Sequence, residues 1–88
     1  MRDVDDILKE RGEVWGDAVI THWRIAKVWT GILGREVTAY EVALCLVGLK
    51  AVRASINPKN PDSSLDGKAY FAIFDKIMDE VKAVDNLD

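Results

Sequence analysis

The chain has 88 residues, 15 acids against 12 bases for a formal charge of −3, and 49% hydrophobic content. This composition excludes a disordered segment. The lack of a basic block argues against nucleic acid as the main ligand, because binding to a phosphate backbone needs a cationic face. One cysteine cannot form an internal disulfide. No apolar run approaches the ~20 residues of a membrane span, and the N-terminus lacks the apolar core of a signal peptide. The expectation is one small helical domain over residues 1–88, cytoplasmic, with no membrane and no nucleic acid among its partners.

The first helix is predicted to open at Asp3 as N-cap, with Asp5 and Asp6 in the first turn where the helix dipole favours anions. Val4, Ile7, Leu8, Val14 and Trp15 form a narrow apolar stripe broken at Gly12, so few of its residues face a core. Glu10 and Glu13 form a Glu-x-x-Glu pair. Such a pair holds a divalent cation only where further carboxylates converge on it, and on an exposed face it is ordinarily solvated charge.

Trp15-Gly16-Asp17 reads as a corner, with Asp17 capping a second helix over Ala18–Leu33 that Gly34 closes at C′. The apolar residues of this helix cover a wide arc, which implies more than one packing neighbour. Trp23 and Trp29 are read as core residues in preference to nucleobase-stacking platforms. His22, the one histidine, has no second strong ligand at metal-binding spacing, and is read as a satisfied or surface imidazole.

The short connection Gly34-Arg35-Glu36-Val37 makes helices two and three near-antiparallel neighbours. Thr38-Ala39-Tyr40-Glu41 is a capping box opening the third helix, expected over about Ala39–Ser55. The run Val42–Leu49 is too unbroken to leave a solvent-facing side, which makes this the central, buried helix. Cys45 lies in that run with no neighbouring cation or histidine to activate it. Gly48 in mid-helix costs about 1 kcal/mol relative to alanine, which suggests a close helix approach inside the domain or across a dimer interface.

Asn57-Pro58-Lys59-Asn60-Pro61 breaks the chain, each proline disfavouring helical geometry in the residue before it. The fourth helix is predicted from Ser63 or Ser64 to about Val84, with Leu65, Ala69, Ile73, Ile77 and Val81 on its apolar stripe. Residues 85–88 are expected to fray. The fold class is therefore all-α, a compact bundle of four helices.

The turn between helices three and four brings the end of one beside the start of the other. It should place Lys50 and Arg53 close to Asp62 and Asp66, with Tyr70 one turn further on. These five residues form either a structural salt-bridge network or a ligand site. In the second case Arg and Lys would bind phosphate, and the carboxylates would carry Mg²⁺ beside it.

Glu10-Arg11-Gly12-x-x-Trp15-Gly16-Asp17, and Leu49-Lys50-Ala51-x-Arg53 followed by Asp62-Ser63-x-x-Asp66-Gly67-x-Ala69-Tyr70, resemble motifs of an uncharacterised family of small bacteriophage domains. That family is similar to nucleotide-modification-associated helical domains and, more distantly, to all-α MazG-like nucleoside triphosphate pyrophosphohydrolases. The resemblance implies a compact helical fold, a nucleotide-linked role in infected bacteria, and Lys50, Arg53, Asp62, Asp66 and Tyr70 as signature positions. MazG-like enzymes hold Mg²⁺ with Glu-x-x-Glu on one helix and Glu-x-x-Asp on the next. Here Glu10/Glu13 falls on the wrong helix and nothing matches the second motif.

Three functions follow as expectations. The first is a non-catalytic phage accessory protein binding a nucleotide or phosphate ligand through the Lys/Arg/Asp cluster. The second is an interaction module acting on a host or phage protein. The third is a Mg²⁺-dependent pyrophosphohydrolase, ranked below both non-catalytic readings. Trp23, Trp29 and the outer side of helix three exceed what so short a chain easily buries, which implies a homodimer.

Overall fold

The computed structural model describes residues 3–85, leaving aside the side chains of Val14, Trp15, Val84 and Asp85. The expected contributions of Val14 and Trp15 to the first stripe, and the fraying of residues 86–88, lie outside the described residues. Four helices make up the fold: α1 (Val4–Trp15), α2 (Ala18–Leu33), α3 (Ala39–Ile56) and α4 (Pro61–Asp85). Among the described residues there is no strand.

Local chemistry sets most of the boundaries. Asp3 caps α1 by accepting from Asp6 N at 2.9 Å, and Asp6 reaches back to Asp3 N at 3.4 Å. Asp17 Oδ1 accepts from Val19 N and Ile20 N at 2.9 and 3.1 Å, satisfying two of the amides a helix start leaves open. Gly34 ends α2 in the left-handed region, φ 71°, where a residue without Cβ is unstrained. Thr38 and Glu41 form the expected capping box on α3. The Glu41 carboxylate takes both Thr38 N–H and Thr38 Oγ1–H at 3.0 Å. These bonds, backbone first, and the nearby Arg35 hold its carboxyl below the usual range.

The fourth helix begins two or three residues earlier than the breaker reading suggested. Pro61 is its first residue, and Asn60 Oδ1 accepts from Asp62 N at 3.0 Å. Proline's fixed φ and missing N–H suit the first helical position, so Pro61 starts the helix as readily as it ends a preceding one.

The central helix is α3, which packs most extensively on α4 and next on α2. Lys50 Cβ lies 3.7 Å from the position of a Cβ on Gly67, while Tyr40 meets Phe74 edge-to-face. These two contacts run in opposite senses along the helices, so α3 and α4 are antiparallel. The core consists of Ala26, Val37, Ala39, Val42, Ile73 and Ile77, with Val42, Ile73 and Ile77 the largest fully buried side chains. α1 docks on α4 and α2 and adds Ile7, buried to 3% exposure.

Burial of α3 is one-sided. Ala39, Val42 and Ala43 are fully enclosed, yet Leu44 and Leu49 are 42% and 43% exposed on the other side. The apolar run therefore does have a solvent-facing side. Trp23, read as core, is exposed, whereas Trp29 packs against the core.

Candidate functional site

Asp66, on the second turn of α4, lies where three helices meet. Its Oδ2 is 3.1 Å from Lys50 Nζ on α3, and its Oδ1 is 3.0 Å from an Arg11 guanidinium nitrogen on α1. All three side chains are well covered, at 13% exposure for Lys50, 20% for Asp66 and 31% for Arg11. Two cations thus share one carboxylate, and the cluster keeps a net positive charge. The Arg11 guanidinium also sits 5.1 Å over the Tyr70 ring, a cation–π contact one turn along α4 from Asp66.

The five residues predicted as a group are divided by the fold. Lys50, Asp66 and Tyr70 are brought together, but Arg53 and Asp62 are exposed and take part in no ion pair among the described residues. The three residues from Lys50 to Arg53 carry the side chain about 60° around the helix. In the antiparallel register, Lys50 already stands beside Gly67, and Arg53 falls outside the seam. The position expected of Arg53 is occupied by Arg11, from the other end of the chain. Its presence in the Glu10-Arg11-Gly12 motif was the only sequence signal for it, because nothing local ties α1 to Asp66.

Beside this cluster is a cavity of about 310 Å³, lined on its polar side by Arg11, Thr21, His22 and Tyr70 and on its apolar side by Ile25, Leu46 and Ile73. His22 is 4% exposed. Its Nδ1 lies 2.7 Å from Ala18 O. A carbonyl can only accept, so Nδ1 carries the proton and Nε2, on the far edge of the ring, is left as a bare acceptor. Nε2 is buried and has no hydrogen-bond partner. Burial lowers the pKa of the imidazole, the Ala18 bond opposing it in part, so the ring is held neutral. The sequence reading of a satisfied or surface histidine therefore gives way to a buried, half-satisfied one. Tyr70 stands 6.2 Å from His22, ring to ring, and lines the same cavity.

A family comparison covers this whole constellation. The family described as a domain of unknown function (DUF6378) matches residues 1–78. The chain belongs to the DUF6378 family. Arg11, His22, Lys50, Asp66 and Tyr70 all fall inside the matched DUF6378 segment. No curated protein and no solved structure matches the chain.

Proposed function

We propose that this DUF6378 domain is a non-catalytic binding module whose cavity takes a small planar molecule carrying an anionic group, of which a nucleotide or other phosphate compound is the leading class. One observation carries the reading: His22, whose buried Nε2 is an acceptor without a donor, forms part of the wall of a cavity of about 310 Å³. A buried, unmet acceptor costs roughly 1–3 kcal/mol, which a ligand N–H or O–H reaching it from the cavity would recover. Ile25, Leu46 and Ile73 suit the faces of a ring.

The anionic end belongs at Arg11. One of its guanidinium nitrogens is engaged by Asp66, leaving other N–H donors for a phosphate or carboxylate. Lys50 shares in neutralising Asp66, so Arg11 keeps its attraction for an anion. In this reading Lys50 and Asp66 position Arg11, and the Tyr70 ring supports its guanidinium. Arg53 and Asp62 contribute only as distant, solvated charges. The resemblance to small bacteriophage domains supports an accessory role in the cytoplasm of an infected bacterium.

A protein-interaction role is the second reading, favoured by exposed Ile32 and Ile56 at 74% and 77%. The Mg²⁺-dependent, MazG-like hydrolase ranks last. Mg²⁺ chemistry needs carboxylates converging on one point. Among the described residues no group of three or more His, Cys, Asp or Glu is placed to hold a metal, and Asp66 is already engaged by two cations.

A thermal-shift screen of nucleoside mono- and triphosphates, with and without Mg²⁺, tests the reading. Ligand at 100 times Kd stabilises by about 2.7 kcal/mol, which is a rise of roughly 10–20 °C for a domain of this size. Arg11→Met should remove the shift while the protein stays folded, and His22→Phe should weaken it most for ligands with a ring N–H. If no nucleotide or phosphate compound moves the melting temperature, the proposal fails. Pyrophosphate release from a nucleoside triphosphate would restore the enzyme reading.

A further inference from the structure

The outer face of α3 does not serve the ligand cavity. Cys45, Gly48, Leu49, Val52 and Ile56 recur at helical spacing and fall within an arc of about 100° around the helix. All five are exposed, Val52 to 58% and Ile56 to 77%; charge appears only at the margins of this face, with Glu41 one turn before Cys45 and Arg53 beside Leu49 and Val52. On the neighbouring α2, Val28 and Ile32 are exposed to 59% and 74% one and two turns beyond Ile25, which shares a wall of the cavity with Leu46 of α3.

Gly48 lies in the middle of this stripe. A Cβ built there would meet nothing within 4 Å, so no element of this chain uses the space. A mid-helix glycine costs about 1 kcal/mol against alanine, and within the single chain nothing offsets that cost. The surface area gives an independent measure. The chain exposes 6352 Å², whereas a folded monomer of its 9.8 kDa is expected to expose roughly 5,200 Å². The surplus of about 1,200 Å², taken over the whole chain, is enough to supply the ~800 Å² that each partner buries in a standard interface.

We infer that a second copy of this chain covers the face, the two α3 helices crossing at Gly48 about a twofold axis. A twofold contact sets a patch against itself. With glycine at the crossing point, the backbones can approach closely there. Cys45 and Val52 lie at nearly equal distances on either side of Gly48, so each would face the other across the axis. Each chain carries −3 overall, but the stripe from Cys45 to Ile56 is uncharged, and in a crossing at Gly48 that sets Cys45 against Val52 the two Glu41 side chains fall at opposite ends, away from each other. The contact uses none of Arg11, His22, Lys50, Asp66 or Tyr70.

Sedimentation velocity on the full chain should give twice the 9.8 kDa mass at tens of micromolar. Val52→Glu, at a position already exposed in the single chain, should return the mass to that of one chain with an unchanged helical circular dichroism spectrum. In a Cys45→Ser background, Gly48→Cys should cross-link rapidly under copper–phenanthroline and air, because the twofold brings the two Cα atoms within the ~7 Å a disulfide spans. Lys76→Cys, exposed on α4, is the control and should not. A wild-type mass of one chain up to several hundred micromolar overturns the inference. A dimer untouched by Val52→Glu, or cross-linking at Gly48→Cys no faster than at the control, overturns it equally.

Discussion

Removing the carboxylate of Asp66 is the perturbation that separates this fold from the grouping suggested by local sequence. Asp66→Ala leaves Lys50 and Arg11 facing each other without a counter-charge, at side-chain exposures of 13% and 31%. A fully exposed ion pair contributes about 0.2–1 kcal/mol, and stranding one charge of a buried pair costs roughly 3–5 kcal/mol. This cluster is covered but not sealed, and its cations retain some access to water, so the expected loss is roughly 2–3 kcal/mol. That corresponds to a melting temperature lower by roughly 10–20 °C. Asp62→Ala and Arg53→Ala, both at exposed positions without an ion pair, should stay within about 0.5 kcal/mol of wild type. Urea titration followed by circular dichroism measures all three, with an unchanged m-value required for the comparison. A double-mutant cycle between Lys50→Met and Arg11→Met then reports how far the cations depend on their shared partner. Equal losses for Asp66→Ala and Asp62→Ala would refute the assignment of Asp66 as the junction of three helices.

Four further outcomes are expected. His22 is held neutral by burial. Its folded pKa lies below the ordinary value of about 6.5, so the unfolded chain takes up the proton first and stability should decline as pH falls below that value; urea midpoints between pH 7 and 5 should show the decline in wild type and lose it in His22→Phe. Thr38→Ala removes the acceptor of Glu41 N (3.2 Å) and one donor to its carboxylate, and should cost about 1 kcal/mol by thermal melting. Gly34→Ala forces a side chain to φ 71° with open space around it, so backbone strain alone should cost about 1–2 kcal/mol. Gly12→Ala, helical and equally unhindered, should instead stabilise by roughly 0.5–1 kcal/mol in the same assay.

What the sequence by itself determined here is what can be decided within four residues. The caps at Asp3, Asp17 and Thr38, the stop at Gly34 and the extent of α2 from Ala18 to Leu33 all follow from side chains bonding to neighbouring backbone amides, or from a glycine accepting a left-handed φ. The start of α4 was partly readable: proline breaks a helix from within but suits its first residue, and only the placement of Asn60 as the capping residue distinguishes the two. The helical spacing of apolar residues in α2 and α4, and the unbroken apolar run of α3, also announced a bundle with α3 at its centre.

The choice of partners belonged to the tertiary structure. Asp66 takes Arg11 rather than Arg53 because α1 docks on α4 and delivers a guanidinium to it, while the three residues from Lys50 to Arg53 turn the latter out of the α3–α4 seam. His22 ends up with one nitrogen bonded and the other bare because burial is a property of three helices together, which spacing along α2 cannot express. The same holds for the long apolar run of α3. Composition alone makes both of its sides equally suited to a core, and the docking of α2 and α4 decides which is covered and which stays open.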